Sequence, residues 1–137
     1  MVGAIVVDTS ALMALLLQEP EAEQVAIALA SATELRMAAP NWLEAAIVVT
    51  TRRGDAGYRQ FQQILERLGI EIFSCDAVNI EIAFQAWLQY GKGRHPAGLN
   101  YGDCFAYALA NQRGEPLLFK GQDFSKTDIQ SALDVEI

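Results

Sequence analysis

Cysteine and histidine are scarce in this 137-residue chain, and acidic residues outnumber basic ones. The two cysteines, Cys75 and Cys104, stand apart without a CxxC spacing, so they read as small core residues of a protein kept in a reducing cytosol. One histidine, His95, cannot supply a His–His pair or a zinc motif. No long hydrophobic run is present. The longest, "ALMALLL", is far too short to span a bilayer, which removes a membrane as partner. No basic stretch opens the chain, and the first strand candidate starts almost at Met1, so no leader is expected and the cytoplasm is the expected location. Ten basic residues against seventeen acidic ones give a net charge of −7, which weighs against a nucleic-acid binder with a broad basic face. The total does not say where the charges lie, and acids grouped around a cation would account for part of it.

Apolar residues make up 52% of the chain and charged residues 20%, enough for one packed domain over residues 1–137. Short strand candidates alternate with longer helical ones. "AIVV" is a buried strand, followed by helical segments "TSALMALLLQ" and "EPEAEQVAIALASA". "ELRMAA" is a weaker strand that stops at Pro40, and "NWLEAAIVVTTRRG" is a helix with Asn41 as cap and Gly54 as its end. "YRQFQQILERLG" places Phe61, Ile64, Leu65 and Leu68 on one helical face. "IEIF" is a strand, "AVNIEIAFQAWLQYG" a helix, and the loop "GKGRHPAGLNYG" leads into the helix "DCFAYALANQRG". "EPLLFKG" is a further strand, and "DVEI" is a candidate for a last edge strand. This alternation predicts an α/β fold with a mostly parallel central sheet and helices on both faces. Ligands of such sheets sit outside the carboxyl ends of the strands.

Four acids interrupt apolar segments instead of lying on polar faces. Asp8 ends the first strand, Glu44 lies one turn inside the helix "NWLEAAIVV", Asp103 opens the most apolar helix, and Asp123 follows "LLFKG". Each has a plainer reading. Asp8 suits a helix cap. Glu44 and Asp103 suit the positive end of a helix dipole, an effect below about 1 kcal/mol. Asp123 and Asp128 suit turns. Strand ends and helix starts nevertheless converge at one edge of a doubly wound sheet. Two unit charges about 5 Å apart repel by roughly 3 kcal/mol at an effective dielectric of about 20. A cluster of acids therefore needs protonation or a cation. Oxygen ligands without His or Cys suit Mg²⁺ or Mn²⁺. Such a cation serves phosphoester hydrolysis, with a remaining carboxylate taking the proton of the attacking water.

At this point "VVDTSAL", "NWLEAAIVV", "HPAGLNYGDCFAYALA" and "LLFKGQDFSKTDI" resemble the motifs of PIN-domain ribonucleases, and specifically VapC-type toxins of bacterial toxin–antitoxin pairs. The resemblance runs the length of the chain. It implies a PIN-like single domain, a Mg²⁺-dependent endoribonuclease, a small antitoxin encoded alongside, and a homodimer. Carried over residue by residue, Asp8, Glu44, Asp103 and Asp123 match the acidic cluster, with Asp8 and Asp103 foremost as metal ligands. Ser10 matches a hydroxyl supporting the first aspartate, and Asp128 is left to assist or replace Asp123.

The remaining candidates concern RNA. Lys92, Arg94 and His95 lie in a glycine-flanked loop that could be only a connector, or could touch phosphates beside Asp103. Lys120 is a phosphate contact or a charged strand end, Tyr101 a base-stacking residue, and Trp42, Trp87 and Tyr90 are packing residues. Two other functions stay open on the residues alone. A phosphotransfer or phosphoacceptor domain also ends a strand in aspartate, although a haloacid-dehalogenase-like phosphatase would need an acid at position 10, which is serine. A non-catalytic PIN-like binding module is the other. Finally, "ALMALLL" and "VAIALA" carry more apolar residues than one core-facing stripe needs, so either the sheet buries these helices on several sides or another chain covers them. The resemblance favours the second.

Overall fold

Residues 2–134 are described by the computed structural model. Four strands pair in the order β3-β2-β1-β4, with β1 at Val2–Val7, β2 at Ala32–Ala38, β3 at Ile70–Phe73 and β4 at Leu117–Leu118. All three pairings between these strands are parallel. The chain moves from β1 out to β2 and β3 on one side, then returns to place β4 on the other. The carboxyl end of β1 is therefore the point where the strand order reverses, and Asp8 stands there.

The period-2 alternation of β1 builds two cores. Ile5 and Val7 face α1 (Thr9–Leu16), α2 (Ala22–Ser31) and α3 (Ala39–Leu68), with Leu12, Leu16, Val25, Met37 and Phe61 buried among them. Val6 faces the other way, toward α4 (Ala77–Tyr90) and α5 (Tyr101–Arg113), with Phe105, Leu109, Leu117 and Phe119. The α/β expectation, with a parallel sheet covered on both faces, is what the chain builds.

Several local expectations change. The third helix starts at Ala39, because Pro40 fits the first turn, where no N–H is needed. Asn41 is thus inside the helix and fully buried, not a cap. Gly54 does break this helix, with φ 63° and ψ −155°, a conformation available essentially to glycine alone. Beyond it the chain folds back and packs Tyr58 and Phe61 toward Trp42, with Ile64, Leu65 and Leu68 on the same core as expected. The strand expected over 115–121 shortens to two residues, because the Lys120 N–H donates to Ser10 Oγ instead of to a neighbouring strand. Of the strand expected over 134–137, Asp134 closes a 3-10 turn and the remainder lies outside the described residues.

The surplus apolar surface is also placed differently. Helix α1 is buried along almost its whole circumference by the sheet, α2 and α3, so its hydrophobicity is used within the chain. Exposed apolar side chains gather instead on α3 (Leu43, Ile47) and on α4 (Ile80, Phe84, Trp87). With Tyr101 and Phe105, the α4 residues line a groove of about 480 Å³. Trp87, expected to pack, is partly exposed there.

Candidate active site

Asp8 is the N-cap of α1 and is only 4% exposed. The backbone N–H and the hydroxyl of Ser10 donate to its Oδ2 at 3.0 and 2.6 Å. Ser10 Oγ in turn accepts the Lys120 N–H at 2.9 Å, which fastens the end of β1 to the segment leading out of β4. Burial pushes the Asp8 carboxyl up to about 6, against the pull of the Ser10 hydrogen bonds and with a further push from the charge of Glu44.

Asp103 sits in the first turn of α5 within a reciprocal cap. Its N–H donates to Asn100 Oδ1 at 2.9 Å, and its Oδ2 accepts the Asn100 N–H at 3.0 Å. Burial again raises it, to about 7, with the Asn100 N–H opposing and the charges of Asp8, Asp123 and Glu44 adding to the rise. Asp8, Glu44 and Asp123, from three other segments, thus lie near enough to Asp103 for their charges to act on it. Capping and clustering are not alternatives here, since Asp8 and Asp103 each use Oδ2 for the helix start. Glu44 reaches the same place from α3 and lies so close to Gly102 that a Cβ on that glycine would come within 2.6 Å of Glu44 Oε2. Asp123 is the exposed member, on the segment after β4.

Asp128 is not among the charges that act on Asp103; it accepts a short hydrogen bond from Tyr107 Oη instead. Lys120 Nζ is paired with Glu19 Oε1 at 3.0 Å. The loop residues divide. His95 Nδ1 accepts the Ala97 N–H at 3.0 Å and its ring stands edge-on to Tyr90, so this side chain shapes the turn. Arg94 lies over the Trp87 ring, 5.0 Å from its centroid, with Nε donating to Leu88 O. Lys92 is exposed, and Tyr101 is 81% exposed two residues before Asp103.

Among the described residues no group of three or more His, Cys, Asp or Glu side chains stands close enough together to hold one metal ion. The donors nonetheless fit a hard cation. All are carboxylates, Asp8 is buried and Asp103 half-buried, and burial first, then the neighbouring acids' charges, raises both above the ordinary aspartate value, a rise that a divalent ion would oppose.

Sequence reasoning missed three residues that hold this site together. Thr9 Oγ1 donates to Asn41 O at 3.1 Å, and Asn41 Nδ2 donates to Gly102 O at 3.0 Å. Nothing local in the sequence pairs Asn41 with Gly102. The Asn100–Asp103 cap, by contrast, has a readable spacing.

Residues 5–130 match the PIN domain. A protein named Ribonuclease VapC from Mycolicibacterium smegmatis is 48% identical over 124 residues, covering 90% of this chain and 96% of that protein. Ribonuclease VapC30 of Mycobacterium tuberculosis is 46% identical over 124 residues, covering 90% and 95%. Among solved structures, Mycobacterium tuberculosis VapC20, described as a Sarcin-Ricin loop cleaving toxin, superposes with a TM-score of 0.75 at 17% identity over 91% of this chain and 95% of that one. A chain of a toxin–antitoxin complex from Klebsiella pneumoniae gives a TM-score of 0.70 at 17% identity, covering 90% and 92%.

Proposed function

This chain belongs to the PIN-domain family and, within it, to the VapC group, and from that premise we propose that it is a Mg²⁺-dependent endoribonuclease, the toxin of a toxin–antitoxin pair. The observation that carries this is the convergence of Asp8, Glu44 and Asp123 on Asp103, whose carboxyl is raised to about 7 by burial and by their charges. Asp8 and Asp103 would hold the cation, with Mn²⁺ as a workable substitute, and Glu44 would complete the carboxylate set. A bound Mg²⁺ would polarise a phosphoryl oxygen of RNA and acidify a water molecule. Asp123 is the exposed acid of the set, and a carboxylate left outside the ligand shell would take the proton of that water. Ser10 fixes the Asp8 carboxylate through its backbone N–H and its hydroxyl.

Exposed Lys92 and Tyr101 flank Asp103 in sequence and suit a phosphate contact and a base stack. Arg94 and Lys120 contribute positive charge from positions already braced by Trp87 and Glu19. Asp128 supports from a distance through Tyr107, which lies on the same helix as Asp103. The pairing of Lys120 with Glu19 leaves a phosphoacceptor reading without the unpaired lysine it would call on. A cognate antitoxin and a second copy of the chain are the protein partners in this reading.

The test is cleavage of RNA by purified protein. Wild type should cut in Mg²⁺ and stop on chelation, and Asp103→Asn should be inactive. Cleavage by Asp103→Asn at the wild-type rate, with contaminating nucleases excluded, would overturn the assignment.

A further inference from the structure

Asn41 is 0% exposed and polar, and it stands where three helix starts meet. Its backbone carbonyl accepts the Thr9 hydroxyl at 3.1 Å, and its side-chain Nδ2 donates to Gly102 O at 3.0 Å. Thr9 adjoins Asp8 in the chain, Gly102 adjoins Asp103, and Asn41 precedes Glu44 by three residues, about one helical turn. The bonds from Thr9 through Asn41 to Gly102 therefore tie together the starts of α1, α3 and α5, each of which carries one acid of the cluster. Gly102 is also the backbone against which the Glu44 carboxylate rests.

The arrangement has a cost. Asn41 Oδ1 is buried without a hydrogen-bond partner, and an orphaned acceptor of this kind is destabilising. A nonpolar side chain of similar volume would avoid that cost and still fill the space. What it could not supply is the donor to Gly102.

We infer that Asn41 is a positioning residue whose clasp on Thr9 and Gly102 keeps the helix starts bearing Asp8, Glu44 and Asp103 together, so that a divalent cation can draw the three acids in. This rests on the metal reading given above. Like charges push the three helix starts apart, and the clasp opposes that push before any cation arrives. It touches neither the cation nor the substrate and acts only through the acids.

The experiment is titration of the purified chain with Mn²⁺ alone, followed by electron paramagnetic resonance, alongside thermal unfolding of the cation-free protein. Asn41→Leu keeps the branched shape with added bulk and removes the donor; Thr9→Val removes the other link with almost no change in shape; Thr9→Ser retains the hydroxyl. Asn41→Leu and Thr9→Val should weaken Mn²⁺ binding by roughly tenfold or more, in the range seen when partners of metal ligands are lost. Thr9→Ser should stay within about twofold of wild type on the same principle. If wild type and both variants bind Mn²⁺ equally, with only the melting temperatures lowered, Asn41 is merely structural and the inference is overturned while the metal reading stands. Absence of Mn²⁺ binding by wild type would overturn the metal reading and this inference with it. Should Asn41→Leu fail to fold, Thr9→Val against Thr9→Ser still decides.

Discussion

A buried carboxylate that caps a helix and belongs to a cluster of acids makes opposite demands on its proton. For Asp8 the Ser10 hydrogen bonds favour the charged form, yet burial and Glu44 prevail and lift it to about 6. An unfolded aspartate titrates at about 3.9. Between those values the folded, cation-free chain binds more protons than the unfolded one, so stability falls as pH rises through this window. Asp103, raised to about 7, extends the window upward. Cation-free protein should therefore melt at a higher temperature near pH 5 than near pH 8, all other groups being equal. Asp8→Asn keeps an oxygen for Ser10 and removes the charge, so it should stabilise the cation-free protein at pH 8 by on the order of 2 kcal/mol. Scanning calorimetry of both proteins at the two pH values checks this. A wild type that grows more stable from pH 5 to pH 8, with Asp8→Asn no more stable, would contradict it.

The four acids were legible because each breaks an apolar segment at a strand end or a helix start, a position no solvated surface acid needs. Asn41 was not. Its place one residue after Pro40 looks like a cap until the proline is seen to occupy the first turn, and its partner Gly102 lies 61 residues away. Lys120 was equally ambiguous, because Glu19 belongs to a run of surface acids and only the fold brings the two within 3.0 Å.

At the scale of elements, the bent helix α3 matters most to the site. Its first half carries Asn41 and Glu44, and its second half folds back to seat Phe61 in the core against Trp42. Gly54 makes that reversal with a positive φ and an extended ψ, where a side chain is strained, although nothing lies within 4 Å of the Cβ it would add. Gly54→Ala should accordingly destabilise by backbone strain alone, about 1–3 kcal/mol in urea unfolding. No loss would mean that the bend is not a constraint. Glycine after an arginine pair signals a helix end, so the break could be read in advance. The folding back could not, because it depends on Phe61 finding Trp42. The apolar stripe of 58–69 is legible because one face of that helix packs on the core, whereas "AIVV" is legible as a strand because both its faces are buried. The surplus in α1 misled, since a short helix wrapped by sheet and two helices needs apolar residues all round.

For the molecule as a whole, a net charge of −7 stands beside exposed apolar side chains on two helices. Leu43 and Ile47 on α3, with Ile80, Phe84 and Trp87 on α4, are what a second copy of the chain would cover. Sedimentation equilibrium at micromolar concentration should show a dimer, and Phe84→Glu should shift it toward monomer; a wild-type monomer would remove self-association from the account. Among the described residues no helix is long and apolar enough to cross a membrane.

The central claim is that acids from four segments converge to hold one divalent cation, and calorimetric titration with Mg²⁺ or Mn²⁺ near pH 6.5 tests it most directly. Asp8 and Asp103 are raised to about 6 and about 7, so cation binding must displace protons from them, and the heat should depend on the ionisation enthalpy of the buffer. The account predicts saturable binding with proton release by wild type and neither in Asp103→Asn. A wild type that binds no divalent cation, or an Asp103→Asn protein that binds one with undiminished affinity, would contradict it.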